Sequence, residues 1–319
     1  MKRIKSFCAL LAVSAICAVL LAAFAHVSPA ASAPAPFRLV VADANTTHHL
    51  NLYVAKELGI FDKYGLDVVI ESVADNAAAR DLVVSGTADV FWSCPTVAIA
   101  AIANGTPFKS IAQVKRPCTS VLVVEQDSPI VSFADLNGKE IAGISPTCEA
   151  VISLAVKAKD AGGSFSLQRL AGGPAIAALE SKSVDGAILE EPHVSIAELA
   201  GYKVVFPDVS ANIPCRTINA SDRVIASSGD QLKLFIRAVD EANARILANP
   251  TADDIVEIAS AYTGAPKEAI VYGNDRLKFT ITLDRDGLRK LGDELVKLGS
   301  IKENPGERLF AEAFRGITW

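Results

Sequence analysis

The sequence predicts an α/β fold with two lobes, because short apolar runs alternate with amphipathic segments over most of residues 38–206. This alternation of strands and helices is typical of mostly parallel sheets flanked by helices. Two segments, 116–120 and 213–217, interrupt the alternation, and each combines proline, cysteine and arginine. Since the pattern beyond the second interruption is almost wholly helical, we expect the chain to cross to a second lobe and to return. Such an arrangement leaves a cleft between the lobes, where small ligands usually bind.

In the first lobe, turn and cap residues enclose apolar runs that have the length of strands. Glycines such as Gly59 and Gly86 end the helices between them. The expected strands are 38–42, 67–72, 90–92 and 108–114, and the expected helices are 48–58 and 76–85. After the third strand, Ser93 is expected to cap a helix whose first turn begins with Pro95, where the missing proline amide is not needed.

The second lobe repeats this alternation, and a helical tail follows it. The expected strands are 121–125, 140–144, 165–170, 185–189 and 204–206, with helices at 148–161, 174–181 and 191–201. The tail is expected to form helices at 229–248, 251–262, 267–272 and 284–298. These tail helices would complete the first lobe.

The composition fits a two-domain protein that does not bind nucleic acid. The chain has 319 residues, of which 50% are apolar and 21% charged, so it can bury a sizeable core. Its net charge is −5 and its pI is about 5.5. Nucleic-acid binding needs a basic face, and no Lys/Arg cluster occurs beyond the first five residues.

The N-terminal segment resembles a secretory signal. Lys2, Arg3 and Lys5 precede an apolar run at 7–24, and small residues follow it. We therefore expect 1–33 to be a signal peptide with a linker, and the mature protein to be an exported, periplasmic monomer. The apolar run is also long enough to act as an uncleaved membrane anchor, and the sequence leaves that alternative open.

Motifs of the common enzyme classes are absent from the sequence. It has no glycine-rich nucleotide fingerprint, no GxSxG, no HExxH and no Walker loop. We therefore expect a protein without catalytic activity or cofactor. A nucleophilic Cys/His pair stays open, because its partners would meet only in the fold.

Seven short segments, in a fixed order, resemble the periplasmic solute-binding proteins of the nitrate, sulfonate and taurine type, the NMT1/THI5-like family. They are 55–61, 64–68, 82–90, 105–107, 135–139, 184–187 and 191–192. The resemblance implies a type II clamshell that closes on a small ligand and delivers it to the permease and ATPase of an ABC importer. It places lobe 1 at 34–118 and 216–319, and lobe 2 at 119–215.

The resemblance also implies that turns at strand ends line the ligand site. The candidate residues are Thr46, Thr47, His48, Ser93, Cys94, Thr96, Cys118, Thr119, Thr147, Cys148, Glu191 and His193. Three of the four cysteines and all three histidines beyond the signal lie on the turns that the family uses. This departs from the hydroxyls and positive charge expected around nitrate or a sulfonate. It favours a thiamine-like heterocycle, a sulfur compound or a soft metal species over a plain sulfonate.

The cysteines have three interpretations. In the first, Cys118 and Cys215 form a disulfide between the two crossings, since both have proline and arginine neighbours. In the second, cysteines and histidines in the cleft bind a soft metal, a metalloid or a metal chelate, because thiolate and imidazole suit such ions. In the third, they are inert buried thiols. Fungal relatives that make a thiamine precursor carry a cysteine-rich run and an iron site. No such run exists here, although a related or Cys/His enzyme stays a second alternative.

Three arginines and two aromatic residues are further candidates for ligand contact. A guanidinium can bind a carboxylate or sulfonate through two hydrogen bonds, and Arg116, Arg169 and Arg216 are candidates for that role. Trp92 and Tyr53 could stack on a planar ligand, but a place in the core is the more usual role of such residues.

Overall fold

The computed structural model describes residues 37–43 and 46–317. The predicted signal peptide at 1–33 and the alternative membrane anchor lie outside these residues. Within the described part of the chain, no helix is both long enough and apolar enough to cross a membrane.

The described chain forms two five-stranded sheets. The strands are β1 (Phe37–Asp43), β2 (Leu66–Ser72), β3 (Val90–Ser93), β4 (Phe108–Lys115), β5 (Val121–Val124), β6 (Lys139–Gly143), β7 (Phe165–Arg169), β8 (Gly186–Leu189), β9 (Lys203–Val205) and β10 (Cys215–Ser221). The first sheet has the order β2-β1-β3-β10-β4, and the second has the order β7-β6-β8-β5-β9. The chain therefore passes between the sheets twice, at 116–120 and at 206–214. The lobe boundaries expected from the sequence remain a prediction.

Four strands of each sheet run in one direction, and one strand is reversed. In the first sheet β1 is parallel to β2 and β3, whereas β10 is antiparallel to β3 and β4. In the second sheet β6 is parallel to β7 and β8, whereas β5 is antiparallel to β8 and β9. The reversed strand is in each case the one that follows a crossing. The predicted α/β class with mostly parallel sheets is confirmed.

The helices cover the faces of the sheets and form most of the C-terminal part. They are α1 (Leu50–Glu57), α2 (Ile60–Lys63), α3 (Asn76–Val84), α4 (Pro95–Ala103), α5 (Glu149–Asp160), α6 (Gly172–Glu180), α7 (His193–Leu199), α8 (Asp222–Ala248), α9 (Asp253–Thr263), α10 (Lys267–Gly273) and α11 (Arg285–Lys297). Helix α4 begins at Pro95 as predicted, but its N-cap is Cys94. The predicted cap, Ser93, is instead the last residue of β3, and its hydroxyl donates to the carbonyl of Cys94 at 3.1 Å.

Strand β10 was not predicted, because its polar residues resemble those of a loop. We expected a crossing at 213–217 and an almost wholly helical pattern beyond it, yet Cys215–Ser221 is a buried central strand. Its polar side chains satisfy one another inside the sheet: the amide oxygen of Asn219 accepts from Ser110 Oγ at 2.8 Å and from Thr217 Oγ1 at 3.1 Å. Helix α8 follows directly, and Ser228 interrupts its helical backbone just before the predicted start at 229.

The two aromatic residues considered as ligand contacts belong to the core of the first sheet. Trp92 is fully buried and meets Phe235 edge-on, with ring centres 5.6 Å apart. Tyr53 is also fully buried and stacks on Tyr262 at 4.2 Å. The ring of Trp92 therefore stabilises the interior, while the hydroxyl of Tyr53 has a separate role near the cleft.

Candidate functional site

A cavity of about 250 Å³ lies where turns of the two sheets meet. The residues that form its walls lie mostly in turns just after the carboxyl ends of strands, or just after one of the two crossings between the sheets. The polar and thiol residues that line it include Thr46 and Asn76 from the first half, Ser120, Cys148, Glu190 and His193 from the second, and Arg216 at the start of β10. Ligand sites of open α/β folds lie at the carboxyl ends of the strands, and this cavity has that position.

Arg216 is the buried cation of this site. Its Nη1 donates to Cys94 Sγ and lies 3.5 Å from Glu149 Oε1, and its Nη2 donates to Glu190 Oε2. Burial opposes the charged form, but Cys94, Glu190 and Glu149 outweigh it and hold the pKa of Arg216 above its ordinary value. Its backbone has φ of 58°, which is rare for a side chain other than glycine. The contacts of the guanidinium compensate for this backbone strain.

Glu190 and His193 form the wall of the cavity on the side of the second sheet. The Glu190 side chain keeps 19% of its surface exposed, so its carboxylate remains accessible from the cavity. Burial lowers the pKa of His193, and Glu190 only partly opposes that shift. A Cβ atom at Gly172 would lie 2.9 Å from the His193 ring, so the backbone at the start of α6 fits closely around this imidazole.

The His193 pKa leads to a pH-dependent stability. Because the folded protein binds this proton less readily than the unfolded chain, acidification below about pH 6.5 favours unfolding. We expect the wild-type protein to lose more stability between pH 7.5 and 5.5 than the His193→Gln variant does. Urea unfolding at both pH values measures this difference. An equal loss in both proteins would show that His193 does not contribute.

A buried hydrogen-bond network shapes the turn that carries Thr46. The Asp43 carboxylate accepts from the Tyr53 hydroxyl and is paired with His49 Nδ1. The same Tyr53 oxygen accepts from the Thr46 amide at 3.0 Å. Thr46 Oγ1 in turn donates to the carbonyl of Glu191 at 3.4 Å, across the cleft. Burial, followed by the Asp43 charge, raises the pKa of Tyr53, so the phenol stays protonated and can donate.

The four cysteines of the described chain are buried free thiols. They form two groups beside the Glu149 carboxylate, one with Cys94 and Cys148 and the other with Cys118 and Cys215. The Cys118–Cys215 disulfide is not formed in this structure, where the two side chains are in hydrogen-bond contact as thiols. The disulfide stays a prediction for the oxidised protein.

The structure places the predicted site residues around the cleft in three sets. Thr46, Cys148 and His193 line the main cavity; Cys94 and Thr147 line a smaller cavity beside it; Cys118 and Thr119 line a separate depression together with Arg276. The others are buried in contacts within the protein: Thr47, His48, Ser93, Thr96 and Glu191. Glu191, for example, accepts from Ser195 Oγ at 2.7 Å and pairs with Arg276 at 3.0 Å. All twelve remain predicted ligand contacts.

Sequence reasoning missed several residues that line the cavity. Asn76 follows the carboxyl end of β2, and Gly172 follows that of β7, so the rule that ligands bind at these ends could have found both. Thr263, at the end of α9, has no such signal. Of the other candidate arginines, Arg169 lines the smaller cavity, while Arg116 is half-exposed and pairs with Asp284 at 3.3 Å.

This architecture is the two-lobe α/β fold of the type II periplasmic binding proteins. The aliphatic sulphonate binding protein SsuA of Escherichia coli superposes with a TM-score of 0.77 and 17% identity, over 89% of this chain and 95% of that one. The nitrate-binding protein NrtA of Synechocystis PCC 6803 gives a TM-score of 0.69 and 15% identity, over 85% and 83% of the two chains. The chain belongs to the NMT1/THI5-like family, whose model matches residues 46–253.

Two curated fungal proteins also match the chain, and both are named 4-amino-5-hydroxymethyl-2-methylpyrimidine phosphate synthase. The protein of Uromyces fabae is 34% identical over 97 residues, and that of Aspergillus parasiticus is 25% identical over 224 residues. The matches cover 30% and 65% of this chain. The chain spans 28% and 65% of the length of these relatives.

Proposed function

We propose that the protein is the exported solute-binding component of an ABC importer, which closes on a small ligand and delivers it to a membrane permease. The observation that supports this proposal most directly is a cavity whose walls come from both halves of a binding-protein fold. Residues of the two halves are already in contact beside this cavity: Thr46 donates to the carbonyl of Glu191, and Arg216 donates to Glu190. A ligand that completes further contacts on both walls would favour the closed form over the open one.

The charges of the cavity favour a polar heterocycle that carries an amino group. Among the described residues that line it, Arg216 is the one cation, and its guanidinium is already paired with Glu190 and Glu149. A nitrate or sulfonate would therefore meet the Glu190 carboxylate without a free positive charge. An amino group, in contrast, can donate to the Glu190 carboxylate. The names of the fungal relatives point to the same class of ligand, an aminopyrimidine.

We expect the protein to bind 4-amino-5-hydroxymethyl-2-methylpyrimidine in preference to nitrate or taurine. Glu190→Gln replaces the accepting carboxylate and is expected to weaken this binding at least about tenfold, since a hydrogen bond to a charged group contributes about 1.5–3 kcal/mol. Isothermal titration calorimetry with the three compounds measures both effects.

The matched control is Glu180→Gln, which changes an exposed glutamate at the end of α6 and is expected to bind as the wild type does. Circular dichroism checks that both variants fold. Preferential binding of nitrate or taurine, or equal affinities for the two variants, would contradict the assignment of the ligand class.

A synthase activity is the second candidate, favoured by the name that both curated relatives carry. A binding protein releases its ligand unchanged, whereas a synthase forms the pyrimidine phosphate from other compounds. Incubation of stoichiometric protein with a small-molecule extract of cells, followed by mass spectrometry for newly formed pyrimidine phosphate and of the intact chain, separates the two. Formation of the pyrimidine phosphate would support catalysis, and an unchanged amount of it, together with binding of the added pyrimidine, would support transport.

A further inference from the structure

A cluster of metal-ligating side chains lies buried beside the cavity and does not line it. Cys118 lies in the first crossing, and Cys215 follows the second. Between them lies the carboxylate of Glu149, the first residue of α5. The three side chains are 0–4% exposed, and their ligand atoms all lie within 4.8 Å of one another.

The separations within this cluster match those around a tetrahedral metal ion. Bonds of about 2.3 Å to sulfur and about 2.0–2.2 Å to nitrogen or oxygen place the ligand atoms about 3.3–3.8 Å apart. Glu149 Oε1 lies 3.4 Å from Cys215 Sγ and 3.8 Å from Cys118 Sγ. His48 Nδ1 lies 3.8 Å from Cys215 Sγ but is not among the atoms that all lie within 4.8 Å of one another.

We propose that Cys118, Cys215 and Glu149 bind a thiophilic divalent metal ion, for which Zn²⁺ is the probe. A water molecule would complete the four-coordinate site, as in zinc sites with three protein ligands. Each thiol loses its proton on binding, so one Zn²⁺ replaces two protons and both sulfurs coordinate as thiolates. The site is assembled from three separate segments of the chain, and the ion would connect the two crossings to a helix of the second half.

Two further observations support a cation at this position. Glu149 Oε2 is buried and has no hydrogen-bond partner among the described residues, which leaves a carboxylate oxygen unsatisfied without an ion. The charges around the cluster are the buried Lys115, Arg216 and Glu149 and the partly exposed Glu190. The net charge of these four side chains is zero when both thiols are protonated. It is zero again when a divalent cation has replaced the two thiol protons, because the two thiolates offset its charge.

The other group of thiols, Cys94 and Cys148, is a poorer site for a cation, although it shares Glu149. Arg216 Nη1 already donates to Cys94 Sγ, and Asn76 Nδ2 approaches the same sulfur at 3.3 Å. A metal ion bound to Cys94 Sγ would have to displace this guanidinium donor, whereas the guanidinium does not donate to Cys118 or Cys215 in the hydrogen bonds of the described residues. This difference provides a matched control within one cluster.

The test is zinc binding by the full chain in a Cys8→Ser/Cys17→Ser background, in which the four cleft cysteines are the remaining thiols. The protein is reduced, freed of reductant and oxygen, and titrated with Zn²⁺ against a competing chelator. Bound metal is counted by mass spectrometry, and Co²⁺ in place of Zn²⁺ gives a thiolate charge-transfer band that reports sulfur ligation.

We expect one Zn²⁺ per chain, with similar affinity in the background protein and in the Cys94→Ser control. Mutation of a residue that only hydrogen-bonds to a metal ligand lowers metal affinity about 10–100-fold. Cys118→Ser and Cys215→Ser each remove a ligand itself, so we expect each to lower zinc affinity at least about 100-fold. Glu149→Gln keeps the shape of the side chain and tests the third ligand if a serine variant fails to fold. No zinc binding by the reduced background protein would overturn the proposal, as would an equal loss in the Cys94→Ser control. The result is independent of solute binding, which is measured with the pyrimidine.

Discussion

Replacement of Arg216 by methionine is expected to lower the free energy of unfolding by about 3–5 kcal/mol, because it removes one partner from a buried network of charges. Glu149 and Glu190 would both lose their guanidinium partner, and Cys94 Sγ would lose its charged donor. Methionine preserves much of the volume of arginine, so the lower free energy of unfolding would result from the missing charge and not from a new cavity. Urea unfolding measures the change in stability, and calorimetry with the pyrimidine is expected to show no binding.

Arg223→Met is the matched control. Arg223 pairs with Asp89 at 3.1 Å but is 61% exposed, and an exposed ion pair contributes about 0–1 kcal/mol. Similar losses of stability in the two variants would contradict the prediction that the buried ion pairs of Arg216 stabilise the fold more than the exposed pair of Arg223 does.

The second large effect is expected for Asp43→Ala, which removes the acceptor shared by Tyr53 and His49. Both partners would remain buried with an unpaired polar group, at about 1–3 kcal/mol each, so we expect a loss of about 2–6 kcal/mol. The turn that carries Thr46 would also lose its support, and solute affinity is expected to fall with it. Thermal and urea unfolding, together with the pyrimidine titration, measure the two effects.

Tyr53→Phe and Asp67→Ala are the two variants with which the loss of stability in Asp43→Ala is compared. The first removes only the hydroxyl and is expected to cost less than Asp43→Ala does. The second changes an exposed aspartate of β2, where a surface substitution usually stays within about 0.5 kcal/mol. A loss in Asp43→Ala no larger than that in Asp67→Ala would contradict a supporting role for the network.

The sequence predicted most of the fold because hydrophobic periodicity dominates in the regions concerned. Strands such as β5 and β8 are continuous apolar runs, and Pro95 marks the start of α4 by its chemistry. Strand β10 was missed because it is buried on both faces yet carries Thr217 and Asn219. Their partners come from elsewhere in the sheet, and local sequence does not contain that information.

The candidate site was predictable at the level of segments and less so at the level of atoms. Turns at strand ends were expected to meet, and Thr46, Cys148 and His193 do lie around one cavity. The position of Glu149 beside all four thiols depends on how the two sheets face each other, which no spacing in the sequence encodes. For the same reason Arg216 looked like a free anion clamp, although its partners already neutralise it.

The central position of β10 has a consequence for biosynthesis. Strands β3 and β4 do not pair with each other but are joined through β10, which is made only after the whole second sheet. When a nascent chain has left the ribosome only up to residue 214, the edges of β3 and β4 that later pair with β10 are both unpaired. Unpaired strand edges tend to pair with other chains. An N-terminal fragment that ends before Cys215 should aggregate, whereas the chain that includes β10 closes both edges at once.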